Sequence, residues 1–206
     1  MKSVREYLQG ATKLKEKKDF EGACDYVKMA LNKSMELKEP EPITTWLRLA
    51  MYLQKAGKNE DGWQLLVNLL ENGHPQRSYF YQHDLFNQLC EIGEINAKMC
   101  LFLQREKKYD AALIYGVKSF LLSCKQIHLN AFIEKDEWLN KEFLKEWKDI
   151  TKAETIENEI SSYFKKTTKI EKLNTVASKI FNYLSSIDNT QFDIDRLFQE
   201  IKTELS

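Results

Sequence analysis

The chain has 206 residues, 43% hydrophobic and 30% charged, with 31 basic and 31 acidic side chains. That balance belongs to a folded globular chain and excludes a disordered one. A net charge of zero leaves no global field to draw the protein onto nucleic acid or anionic lipid.

The opening residues, Met1 to Glu6, run straight into a charged amphipathic segment and lack the apolar core of a signal peptide. No run reaches the ~18 apolar residues that a membrane span requires. Cys24, Cys90, Cys100 and Cys124 lie far apart among apolar neighbours, a pattern of buried reduced thiols rather than a disulfide framework. The cytoplasm is the expected compartment. All three prolines (Pro40, Pro42, Pro75) fall in the first 75 residues, and no glycine follows Gly116. Strands need tight turns, and this chain has few residues to build them. Apolar residues recur at three and four, as in Phe20, Ala23, Val27, Ala30 and Leu31, or Ile170, Leu173, Ala177, Ile180 and Leu184. The fold class is all-α.

In chain order the expected helices cover 3–17, 20–36, 43–56, 59–72, 77–91, 94–106, 109–127, 136–149, 153–166, 170–186 and 190–204. Asp19 and Asn59 are expected to cap the starts of the second and fourth. Thr151 with Glu154, and Thr190 with Asp193, have the spacing of capping boxes. Gly57 suits a helix C-terminus, and Pro40 and Pro42 bracket a linker.

Three segments look alike: Lys18 to Leu31, Lys58 to Leu70 and Lys108 to Phe120. In each, a small residue (Ala23, Gly62, Ala112) sits in the first turn of a helix, preceded by an aromatic in two of them (Phe20, Tyr109) and by Asn59 in the other. Upstream, Trp46, Leu49, Ala50 and Leu53 form a large–small pattern, with a weaker version in Tyr7, Ala11 and Leu14. A small side chain opposite a large one is what two closely approaching helices need. These residues resemble the tetratricopeptide repeat (TPR) family over roughly residues 3–127. The small slots are 39 and then 50 residues apart, where that family repeats at about 34. The array is therefore divergent, with an extra or elongated helix near 77–91.

The resemblance implies a TPR-like α-solenoid of antiparallel helix pairs over 1–127, with 128–206 as a helical C-terminal cap or small bundle covering its last apolar face. It also implies partner binding in a concave groove lined by the first helix of each pair. Carried onto this chain, the lining is Arg5, Leu8, Thr12 and Lys15, then Leu47, Met51, Gln54 and Lys55, then Leu101, Gln104 and Arg105. Such a mixed apolar and basic lining suits a peptide or helix of a protein partner with some acidic character. Leu8, Thr12 and Arg48 stand where chaperone-tail-binding members carry a Lys and two Asn, which argues against that sub-class.

Catalytic and metal signatures are missing from the sequence. His74, His83 and His128 are scattered, with no HExxH, no phosphate loop and no nucleophile motif. The expectation is a non-catalytic scaffold or adaptor that needs neither metal nor cofactor. A rival reading is a structural subunit of a permanent assembly. A third is a nucleic-acid regulator using Lys165, Lys166, Lys169 and Lys172, although acidic groups outnumber basic ones across 135–206. Trp46, Trp63, Trp138 and Trp147 are expected in the core.

Overall fold

Polar side chains start several of the helices where the sequence places them. In the computed structural model, which describes residues 2–79, 85–133, 137–164, 166–187 and 192–206, Ser3 and Glu6 form a reciprocal capping box. Helix α1 (Val4–Glu16) follows it. Asp19 accepts from the Gly22 amide at 2.9 Å and caps α2 (Phe20–Leu37). Then come α3 (Ile43–Lys55), α4 (Asn59–Asn72), a 3-10 turn at Arg77–Tyr79 and α5 (Leu85–Arg105). The rest is α6 (Tyr109–Ile133), α7 (Glu137–Ile150), α8 (Ala153–Phe164), α9 (Ile170–Ser186) and α10 (Ile194–Leu205). The described residues form ten α-helices and no strand, so the protein is all-α.

Two caps differ from expectation. Asn59 is the first helical residue of α4, and Lys58 precedes it without a side-chain cap. The Thr151 hydroxyl donates back to the Trp147 carbonyl at 2.8 Å, so it closes α7 rather than opening α8. Thr190 lies outside the described residues; Asp193 caps α10 by accepting from the Arg196 amide.

The helices expected at 77–91 and 94–106 are replaced by the short turn and the single long α5. Gly93 lies between the two expected helices, and its backbone shows no positive φ. It stays in the helix at a cost of about 1 kcal/mol relative to alanine.

The chain divides into two units, Met1–Phe102 and Leu103–Ser206. The expected boundary at 127/128 falls inside α6. In the first unit α1 packs on α2, α2 on α3 and α3 on α4. Ten residues of α3 are buried, including Trp46, Leu47, Ala50, Met51 and Leu53, so this helix is covered nearly all round. In the second unit α6 packs against α7, α8 and α10, and α9 against α8 and α10. Leu113, Val117, Leu121 and Cys124 of α6 are fully buried, beside a core that includes Ile156, Ile160, Val176, Ile180 and Ile201.

One turn occurs four times among the described residues: at Lys38 (φ 56°, with Glu39 N to Ser34 O 2.9 Å) Ile43 follows five positions on, and at the other three a small slot does. Lys18, Gly57 and Lys107 each adopt a left-handed φ, of 62°, 80° and 61°. Each lies five residues before a small slot, Ala23, Gly62 and Ala112. The backbone bonds repeat as well: Asp19 N to Leu14 O, Lys58 N to Leu53 O and Lys108 N to Leu103 O, each 2.9 Å. Lys18, Gly57 and Lys107 donate to the carbonyls of Lys15, Gln54 and Gln104. This double bond pattern around a left-handed residue closes a helix by satisfying its last carbonyls. Glycine takes that conformation freely, whereas a lysine pays about 1–2 kcal/mol for it.

Candidate functional site

The eleven residues expected to line a groove separate according to burial. On α1, Arg5, Leu8, Thr12 and Lys15 form one stripe, with the two cations exposed and Leu8 and Thr12 half-buried. On α3, Leu47 is 0% exposed and Met51 8%, which withdraws both from any partner. Gln54 is buried and donates from Nε2 to the Phe102 carbonyl at 2.8 Å, a structural bond inside the first unit. Lys55 is exposed, and its ammonium lies 5.1 Å from the centre of the Phe20 ring. Leu101 is half-buried in the first unit; Gln104, half-buried, and Arg105, exposed, belong to the second. Burial holds the Arg105 guanidinium below its ordinary range.

α3 is covered because it carries two apolar stripes. Trp46, Leu49, Ala50 and Leu53 make one, and Leu47, Met51 and Gln54, at i, i+4 and i+7, make the other. A helix lining an open groove keeps one face polar. The open part of this surface is therefore α1 with the Lys55 end of α3.

Arg48 joins the two helices. Its Nη2 donates to the Leu8 carbonyl at 3.1 Å and to the Thr12 hydroxyl at 2.8 Å, while Nε donates to the Tyr52 hydroxyl at 2.9 Å. The guanidinium carbon sits 5.2 Å from the Tyr52 ring centre. This bridge fixes α1 against α3, a role the sequence did not reveal because the partners are 36 and 40 residues away. Gln76 was missed for the same reason. Buried to 2% exposure, it accepts from the Ser34 hydroxyl and the Glu41 amide, which ties the proline-bracketed linker to the 74–77 turn.

Buried polar groups gather at two further places. In the first unit His74 lies 3.8 Å from Glu91, and Glu91 lies 3.6 Å from Arg77. Burial, helped by Arg77, pushes the His74 imidazole down to about 4, and burial pushes the Glu91 carboxyl up. The Trp46 ring is 6.1 Å from His74. In the second unit His128 is 4% exposed, and both of its nitrogens lack a hydrogen-bond partner among the described residues. The rings of Phe132, Trp147 and Phe192 lie 4.6, 5.0 and 5.7 Å from it. Burial and Lys125 hold this imidazole below its ordinary value. His83 lies outside the described residues.

Trp46 is buried, while Trp63 packs half-buried at 5.7 Å from the Phe102 ring. The Trp138 side chain lies outside the described set. Cys24, Cys100 and Cys124 are buried thiols outside any disulfide, and Cys90 is half-buried. Burial pushes the Cys100 thiol up to about 11, away from nucleophilic chemistry.

The lysines near α9 are engaged one by one. Lys166 stacks its ammonium 5.7 Å from the Tyr109 ring centre, and Lys169 reaches the Ser206 carbonyl at 3.5 Å. Lys172 neighbours the Glu204 carboxylate, which Lys179 holds at 2.6 Å. Lys165 lies outside the described residues. No described helix is long and apolar enough to cross a membrane. Among the described residues no group of three or more His, Cys, Asp or Glu side chains converges as a metal site. Comparison with protein families, with curated proteins and with solved structures finds no match.

Proposed function

We infer that the chain is a non-catalytic interaction module, a divergent set of tetratricopeptide-type hairpins that serves as scaffold or adaptor for a protein partner. The observation that supports this reading is the recurring turn: three helix junctions share one left-handed position, one bond pattern and one small residue five positions on. The partner is a peptide or amphipathic helix with acidic character. It lies along the α1 stripe of Arg5, Leu8, Thr12 and Lys15, with Lys55 at its rim. Apolar anchors meet Leu8, and the cations steer acidic side chains. Placement in the cytoplasm and the absence of catalysis are part of this proposal.

Photo-crosslinking from positions 5 and 15 tests it, with the exposed Asp25 of α2 as the control position. The native partner should crosslink from the α1 positions only. Reversing both cations, Arg5→Glu with Lys15→Glu, should raise the dissociation constant at least about tenfold, or about 1.4 kcal/mol, without altering the fold. Equal binding by the reversed protein at low salt, where charge effects are largest, refutes the site.

A second reading, a permanent subunit of an assembly, draws on α2. Met29, Met35 and Leu37 are 47%, 41% and 47% exposed there. Sedimentation of the isolated chain separates the two, because an adaptor stays monomeric while an orphaned subunit self-associates with concentration.

A further inference from the structure

The connector between α8 and α9 is tied to the start of α6 through one carboxylate. Asp110, the second residue of α6, accepts from the hydroxyls of both Thr167 and Thr168 and from the Thr168 amide at 2.8 Å. Thr167 also accepts from the Lys169 amide at 3.1 Å. These bonds hold the connector to α6 across 57 and 58 residues of sequence, beside the Lys166 ammonium stacked on the Tyr109 ring. The two threonines differ in access: Thr167 is 3% exposed, whereas Thr168 faces solvent. Around the exposed hydroxyl the connector is basic. Lys166 lies two residues before it, and Lys169 and Lys172 one and four after.

We propose that Thr168 is a phosphoryl acceptor for a protein kinase that selects basic surroundings, and that its modification releases the α8–α9 connector from α6. The co-substrate is a nucleoside triphosphate. The Thr168 Oγ forms a bond to the γ-phosphorus as the bond from that phosphorus to the β–γ bridging oxygen breaks. The nucleoside diphosphate leaves, and the hydroxyl proton passes to the kinase base and then to solvent. The product cannot donate to Asp110. It carries about −1.5 to −2 charges where a donor had been, so it repels the carboxylate it once held. Lys166, Lys169 and Lys172, which rest against Tyr109, the Ser206 carbonyl and the Glu204 carboxylate, lie within four residues in sequence of the phosphate, itself just before the N-terminus of α9, where negative charge is favoured. Thr167 stays out of reach of a kinase because its side chain is buried. This inference does not depend on the partner-binding reading.

The full chain, treated with magnesium ATP and the catalytic subunit of a basic-directed Ser/Thr kinase, tests the proposal by phosphopeptide mapping. One phosphate on Thr168 is expected, lost in Thr168→Val and kept in Thr167→Val. Asp110→Asn, which weakens the tie, should speed incorporation several-fold. The Asp110 carboxyl, held below the ordinary carboxylate range by its bonds from Thr167 and Thr168, should move to or above that range in the phosphorylated chain, followed by NMR titration. No incorporation into the unaltered chain, a label that survives Thr168→Val, or an Asp110 titration unchanged by phosphorylation each overturns it.

Discussion

Gly62 marks a close approach in the α3–α4 hairpin, and adding one methyl there tests the packing directly. A Cβ at this position would lie 2.8 Å from the Ala50 carbonyl oxygen, 3.0 Å from the Phe102 ring and 3.4 Å from the Gln54 nitrogen. The ring can tilt, but the Ala50 oxygen belongs to the backbone of α3, so the two helices must separate. Overpacking of this kind costs about 1–3 kcal/mol. The better helix propensity of alanine returns about 1 kcal/mol. The net expectation for Gly62→Ala is a loss of about 1 kcal/mol, which lowers the melting temperature of a unit this size by about 4–8 °C. Calorimetry on the full chain reads the transition. In a double-mutant cycle with Phe102→Leu the two changes should be non-additive, because the smaller side chain removes one of the two clashes. A melting temperature that rises in Gly62→Ala would show that α3 and α4 do not approach closely there.

Three further outcomes are expected. Ala23→Trp and Ala112→Trp, at positions with 0% exposure, should each prevent their unit from folding cooperatively, as read by urea titration; unchanged midpoints in both would remove the small slots from the packing. Lys107→Gly relieves a left-handed lysine and should stabilise the chain by about 1 kcal/mol in urea unfolding, whereas Gly57→Lys should destabilise it by a similar amount. Finally, His74 has a folded pKa of about 4 against an ordinary 6.5, so below pH 6.5 the unfolded chain binds a proton that the folded chain refuses. Its contribution is complete above pH 6.5 and is lost as pH falls toward 4, by about 2 kcal/mol between pH 7 and 5. Glu91, raised by burial, acts in the opposite sense, so the comparison is with His74→Gln, which removes only the first effect. Parallel stability–pH curves for the two proteins would contradict the assignment.

Much of the fold was legible because its determinants are local. Asp19, Gly57 and the three–four spacing of Phe20, Ala23 and Val27 act within a turn or two, and the second helix starts where they place it. The helices expected at 77–91 and 94–106 meet in one α5 from Leu85, because Gly93 weakens a helix without ending it. The α3 face was misread through attention to one stripe: Leu47 and Met51 are apolar at i and i+4 and were themselves a signal of burial. Arg48, Gln54, Gln76 and Asp110 could not have been read at all. Each bonds a partner 35 to 58 residues away, and no local pattern encodes that meeting.

The enclosure of α3 also bears on how the first unit opens. Amide protons exchange with solvent only when their hydrogen bonds break and water reaches them, so a surface helix exchanges through local fraying. α3 has little free face from which to fray, since ten of its thirteen residues are buried. Its slowest amides, around Leu47 to Met51, should exchange only when the unit unfolds globally, and their rates then report its full stability. α1, with Val4 and Ala11 as its only buried residues, should exchange far faster. A partner resting on α1 would accordingly slow exchange there by ordering the fraying helix, and would reach α3 only through the stability of the whole unit.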